Sequence, residues 1–245
     1  MNVLLKPIVR VWCALRHPLL RRRYRRLVLE EIEGVPLLVL PEVFNPVLFR
    51  SGAFLARTLQ GLTGLEAGSR VLDMGTGSGV GAVFAARRGA RVVGVDINPE
   101  TVRCASLNAL LNRLEDRIEV RQGDLFAPLA SDKGERFDLV VFNPPFYRGR
   151  PRDNLDYAWR GIDVFERFAS GVSHVLASGG RVLVVLSTDG EWGPAKAALQ
   201  KEGFTVEKLV SHEFVNEVIT AFECRLPAPE GRMPIAVEGC HDPAL

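Results

Sequence analysis

From residue 70 onward the chain alternates short apolar runs with segments of helical spacing, and this alternation limits the possible folds more than any other feature. The stretches "RVLDMG", "ARVVGVDIN", "DRIEVRQGD", "RFDLVVFN" and "GGRVLVVLST" read as strands. Between them, "GVGAVFAARRG", "PETVRCASLNALLNR", "GIDVFERFASGVSHVLA" and "GPAKAALQKEG" read as helices. Strands that are apolar throughout need cover on both faces, so the pattern predicts a mostly parallel sheet with helices on each side. Two last strands, near 204–211 and 217–226, follow one another without a helix, which makes one of them antiparallel. The expected class is α/β, with seven strands.

The flanks are less regular. Residues 3–33 read as helical in two pieces, with Leu4, Ile8, Val11, Leu15 and Leu19 at helical spacing and a break at His17-Pro18. "VPLLVLPEVF" is a short strand or extended run, and a helix over 47–60 leads into the alternating region. The expected organisation is a basic helical segment at 1–35, the α/β domain at 36–228, and a tail at 229–245 rich in Pro and Gly. At 47% hydrophobic and 24% charged residues, a packed core is expected and disorder is not.

A net charge of +2 gives no global pull toward nucleic acid, but the arginines are uneven. Arg16, Arg21, Arg22, Arg23, Arg25 and Arg26 crowd one stretch, and Arg148, Arg150 and Arg152 another. Such clusters attract phosphate or an acidic partner, or form a solvated face. Cys13, Cys104, Cys224 and Cys240 have neither metal-ligand nor disulfide spacing, which fits a reducing cytoplasm. No transmembrane segment is expected, because Lys6, Arg10 and Arg16 interrupt the apolar N-terminus.

Chemistry concentrates at the strand ends. "VLDMGTGSG" puts Asp73, Gly75, Thr76, Gly77 and Gly79 after the first strand of the alternating region. Glycines there let a ligand approach the backbone, at the end of the sheet where α/β folds bind ligands. The next strand ends in Asp96-Ile97, and a carboxylate at that place can accept from both hydroxyls of a ribose. Gly77, Gly79 and Ala82 also fit the dinucleotide pattern G-x-G-x-x-A, a weak match that keeps a nicotinamide-dependent oxidoreductase or a plain nucleotide-binding module as alternatives. With an acid ahead of the glycines, the segment resembles the first motif of class I S-adenosylmethionine-dependent methyltransferases. The resemblance implies their Rossmann-like fold and their cofactor. It also implies that Asp124, in "VRQGDLF", meets the adenine amino group while Leu125 lines the ring.

The fourth strand of the region runs into Asn143-Pro144-Pro145-Phe146. These residues match the (D/N/S)-P-P-(Y/F) motif of methyltransferases that act on planar nitrogens. The residue types suit that chemistry. An amide or exocyclic amine must hold its N–H groups away from the methyl it attacks. The Asn143 side-chain carbonyl can accept one N–H and the Pro144 carbonyl the other, while Pro145 stiffens the turn and Phe146 stacks on the planar group. Residues 40–226 resemble the small-domain methyltransferases, and details look HemK-like: "PEVFNP" before a helix, Ala158–Gly180 after the turn, and "HEFVNEVITAFE" at the end. The chain departs from that group in "VLFRSGAF", in the single Gly161, and in Phe146 for tyrosine. The expected activity is N-methylation of a protein glutamine or an RNA base, with a small-molecule acceptor as an alternative. Tyr147 and Tyr157, interleaved with the arginines, can stack on bases.

Overall fold

In the computed structural model the residues described are 26–129, 134–153, 155–190, 192–215 and 217–227. Cys13, Cys240, most of the first arginine cluster, the stretch through residue 25 expected to be helical and the tail at 229–245 lie outside them. The element order is β1 (Val28–Ile32), β2 (Val35–Val39), α1 (Ser51–Gly61), β3 (Arg70–Met74), α2 (Val80–Arg87), β4 (Arg91–Asp96), α3 (Pro99–Leu111), β5 (Ile118–Gln122) and β6 (Phe137–Phe142). There follow β7 (Tyr147–Arg148), β8 (Arg160–Gly161), α4 (Val164–Val172), β9 (Leu176–Ser187), α5 (Trp192–Lys201), β10 (Thr205–Glu213) and β11 (Val218–Arg225).

Seven strands form one sheet in the order β10-β11-β9-β6-β3-β4-β5. β3 is parallel to β4 and β6, and β6 to β9, while β11 runs antiparallel between β9 and β10. The last strand is therefore the antiparallel one, as expected. Side chains alternate between two cores. Val71, Leu139, Val141, Leu183 and Val185 face the layer of α1 and α2, with Phe54, Leu59 and Val83. Leu72, Val140, Phe142, Val182 and Val184 face α4 and α5, with Phe168, Val172 and Leu199. Both faces are thus dry, which is why the strands read as unbroken apolar runs.

Two expectations are corrected. The segment expected to stay helical to residue 33 contains β1, which pairs antiparallel with β2 from Val28↔Val39 to Ile32↔Val35. Glu33 and Gly34 turn the hairpin at φ 50° and 75°, the left-handed pair of a two-residue turn. Glu33-Gly34, between the β-branched Ile32 and Val35, was the local signal. Helix α1 begins at Ser51 rather than 47, since Asn45 Oδ1 accepts the N–H groups of Val47 and Leu48 and holds that stretch as a turn. The hairpin docks on α3 through Asn108. Its Oδ1 accepts from Leu38 N–H at 2.6 Å, and its Nδ2 donates to the Leu38 and Ser78 carbonyls at 2.7 and 2.8 Å.

Candidate active site

Strand order reverses between β3 and β6: the chain adds β4 and β5 on one side of β3, then returns to place β6 on the other. Ligands bind at the carboxyl ends flanking such a point. The glycine loop leaves β3 there, and the Asn143 turn leaves β6. One cavity connects them. Gly75, Gly77, Asp96, Ile97, Asp124, Leu125, Asn143, Pro144, Pro145 and Phe146 all line it, together with Ser51, Phe44 and Trp159.

Asp73, Thr76 and Gly79 do not line the cavity; Asp73 and Thr76 hold the glycine loop from within. Asp73 is only 3% exposed, and its Oδ2 accepts from Thr76 Oγ at 2.6 Å and from the Ala82 N–H at 2.9 Å, which ties the loop to the start of α2. Gly81 sits against the same carboxylate, and a Cβ there would lie 2.6 Å from Asp73 Oδ1. Gly75, Gly77 and Gly79 adopt φ of 62°, 55° and 80°, a run that side chains disfavour. Ala82 is buried with its N–H on Asp73, so the last residue of the dinucleotide pattern serves the loop's interior.

Burial lifts the Asp73 carboxyl from its ordinary 3.8 to about 6, against the opposing bonds from Thr76 and Ala82. In this window the unfolded chain ionises first, so stability is lost as pH rises from about 4 to 6, and the penalty is complete above that. A shift of this size corresponds to about 3 kcal/mol. Asp73→Asn keeps a carbonyl acceptor and cannot ionise. Denaturant unfolding of the ligand-free protein at pH 4 and pH 7 should show the variant gaining on the parent by about that amount between the two. An unchanged gap would place Asp73 in a solvated setting.

Asp96 ends β4 at the cavity. Its Oδ2 accepts from the Gly77 N–H at 2.9 Å and its Oδ1 from the Asn98 N–H at 3.0 Å. Asp96 itself lines the cavity, which brings the carboxylate within reach of a ligand there. Burial raises this carboxyl's pKa as well. Ile97, 40% exposed, and Leu125 offer apolar flanks. Asp124 is engaged by a residue the sequence did not single out: Arg167 on α4 donates to Asp124 Oδ2 at 2.7 Å and to Oδ1 at 3.3 Å. Any amine meeting Asp124 shares it with that guanidinium.

At the other end, Asn143 Nδ2 donates to Ser51 Oγ at 3.2 Å, while Asn143 Oδ1 is buried with no hydrogen-bond partner. An orphan acceptor of this kind is uncommon and marks a place where a donor belongs. Beside it stands an aromatic wall. Phe44 stacks on Phe49 at 4.6 Å, and Trp159 meets Phe49 and Phe44 edge-on at 4.2 and 5.2 Å. Tyr157, 43% exposed, completes the lining. Phe44 and Trp159 lie in the stretches quoted above as HemK-like, but nothing local marked them as neighbours. Of the arginines near the mouth, Arg148 pairs with Glu166, and Arg160 lies 3.5 Å from Asp156. Among the described residues no His, Cys, Asp and Glu cluster could hold a metal, and no helix is long and apolar enough to cross a membrane.

Residues 36–212 match the family model described as "Methyltransferase small domain". A Methanocaldococcus jannaschii protein, provisionally named a protein N5-glutamine methyltransferase, is 31% identical over 167 residues, 64% of this chain and 79% of that one. The release factor glutamine methyltransferase of Clostridium acetobutylicum is 32% identical over 151 residues, 55% of this chain and 52% of its own. The chain thus spans about half the length of that relative. Among solved structures, the Thermus thermophilus 16S rRNA N2 G1207 methyltransferase in complex with AdoMet and guanosine superposes with a TM-score of 0.60 at 25% identity, over 82% of this chain and 50% of that one.

Proposed function

Given that the chain belongs to the methyltransferase small-domain family and is an S-adenosylmethionine-dependent methyltransferase, we propose that it methylates a planar nitrogen, an amide or an exocyclic amine. The observation that carries this reading is the buried, unpartnered Asn143 Oδ1 at the cavity. A planar nitrogen brings the N–H that such an acceptor lacks.

The residues present fit the adenosyl cofactor. In this reading Asp96 accepts from the ribose hydroxyls, and Gly75 and Gly77 let the chain approach closely. Ile97 and Leu125 flank the adenine ring, and Asp124, steadied by Arg167, meets its amino group. Asp73, Thr76 and Gly79 hold the loop that does this. Bound S-adenosylmethionine supplies a methyl group already activated on a sulfonium. The chain's task is therefore alignment. Asn143 Oδ1 and the Pro144 carbonyl accept the two N–H groups of the acceptor, Pro145 keeps them fixed, and Phe146 stacks on its plane.

The wall of Phe44, Trp159 and Tyr157 favours a nucleobase, because a flat ring gains more from stacking than a glutamine side chain does. The likeness to the protein provisionally named a glutamine methyltransferase, over 79% of that protein's length, favours a protein amide as the second reading. Both are decided by incubating the purified protein and labelled S-adenosylmethionine with a fractionated lysate, with and without ribonuclease and protease. Ribonuclease-sensitive label is the expected result. Label lost only to protease would establish the glutamine reading, and label in the small-molecule fraction would replace both. Absence of S-adenosylmethionine binding by calorimetry would sink the assignment itself.

A further inference from the structure

We propose that Ser51, braced by an Arg50–Glu217 clasp, is the positioning residue that decides which end of the Asn143 amide faces the acceptor; this rests on the N-methyltransferase reading above. A primary amide has two unlike ends. The carbonyl accepts, the NH2 donates, and half a turn about the last side-chain bond exchanges them. Only the carbonyl end can take an N–H from an acceptor. Nothing within Asn143-Pro144-Pro145-Phe146 selects that end. The Ser51 hydroxyl, here accepting from Asn143 Nδ2 at 3.2 Å, holds the amide with Oδ1 buried and unpartnered beside the cavity that both residues line.

Ser51 is 1% exposed, and the chain around it is pinned from two sides by elements remote from the cavity. On one side, Arg50 holds a left-handed φ of 53°, a conformation that costs a non-glycine residue about 1 kcal/mol and persists only where its surroundings enforce it. Its guanidinium lies 3.7 Å from Glu217 Oε1 and 4.7 Å from the centre of the Phe214 ring. Glu217 is itself anchored, accepting from Ser187 Oγ at 2.6 Å at the end of β9, while its backbone carbonyl takes the Phe214 N–H at 2.8 Å. On the other side, Gly52 packs so tightly that a Cβ would come 2.5 Å from Pro46 Cβ. Asn45 Nδ2 donates to Glu30 of the hairpin at 2.8 Å. Neither Arg50 nor Glu217 lines the cavity, whereas Ser51, next to Arg50 in the chain, does.

The test starts with the full chain labelled with 15N at asparagine, the Asn143 side-chain signal being identified by its loss in Asn143→Ala. The intact protein should show slowly exchanging Asn143 amide protons, and Ser51→Ala should abolish that protection. Methyl transfer to the bulk RNA and protein of the lysate should fall about tenfold in kcat, the worth of one orienting hydrogen bond, with S-adenosylmethionine affinity unchanged by calorimetry. Ser51→Thr, which keeps the hydroxyl, should recover most of the rate. Added to Asn143→Ala, the Ser51→Ala change should cost nothing further. Glu217→Gln should show the same loss of amide protection in smaller degree, and it guards against misfolding of the Ser51 variant. Amide protons unmoved by Ser51→Ala would overturn the proposal, since the hydroxyl would then be donating to Oδ1. So would a further loss in the double variant, since Ser51 would then be acting on structure generally. Full turnover in Asn143→Ala alone would instead remove the N-methyltransferase reading, while the exchange data would still judge the hold of Ser51 on the amide.

Discussion

Asn143→Ala is expected to lower methyl transfer about a hundredfold, near 3 kcal/mol in the barrier, the usual cost of losing one preorganised group aimed at the reacting centre. S-adenosylmethionine affinity should stay within about twofold, since one truncated side chain at the acceptor end leaves the nucleoside contacts in place. The reason for so unequal an effect lies in the burial of Oδ1. It has already lost its water, it has no partner in the protein, and the chain has met that cost before any acceptor arrives. An N–H placed there gains a bond without any further desolvation of the oxygen. The measurement is single-turnover transfer of labelled methyl beside calorimetric binding of the cofactor. A fall in both together would mean that Asn143 shapes the cofactor's seat rather than the acceptor's.

Asp96→Ala should act at the other end of the same cavity, raising the dissociation constant for S-adenosylmethionine about a hundredfold. A hydrogen bond to a charged group is worth about 1.5–3 kcal/mol, and the ribose offers two donors to this carboxylate. The loss is compounded because Asp96 also holds the Gly77 and Asn98 N–H groups, at 2.9 and 3.0 Å. Without it the glycine loop loses one tether to β4, the Thr76 N–H bond to the Val95 carbonyl at 3.0 Å remaining, as well as its ligand contact. Asp96→Asn, which can still accept through one oxygen, should lose less. Calorimetry on the three proteins measures the series directly, and normal affinity in Asp96→Ala would dissolve the ribose assignment.

Much of this could be read from residue order. Periodicity gave the seven strands and the sheet's two covered faces, because apolar runs such as "RVLDMG" and "RFDLVVFN" have no other way to be dry. The strand-end residues were legible too. Gly77, Asp96, Leu125 and Asn143 end successive strands of one sheet, and in a parallel sheet successive ends lie on one edge. Strand β1 and its pairing with β2 were missed because the apolar stripe upstream has helical spacing, while Glu33-Gly34 speaks only for the two strands it joins.

Sequence alone therefore determined the architecture, the edge that carries the site and the residue types on it, since periodicity and turn chemistry act within a few residues of where they are written. It could not determine who meets whom across the cavity. Ser51 and Asn143 stand 92 residues apart, Asp124 and Arg167 stand 43 apart, and Phe44 packs on Trp159 from the opposite side of the domain sequence. Those meetings decide which end of an amide is offered, how much of Asp124 a ligand can claim, and what shape of acceptor the wall can hold. They depend on how α1 and α4 pack over the switch between β3 and β6, and that packing is a property of the whole core rather than of any stretch of it.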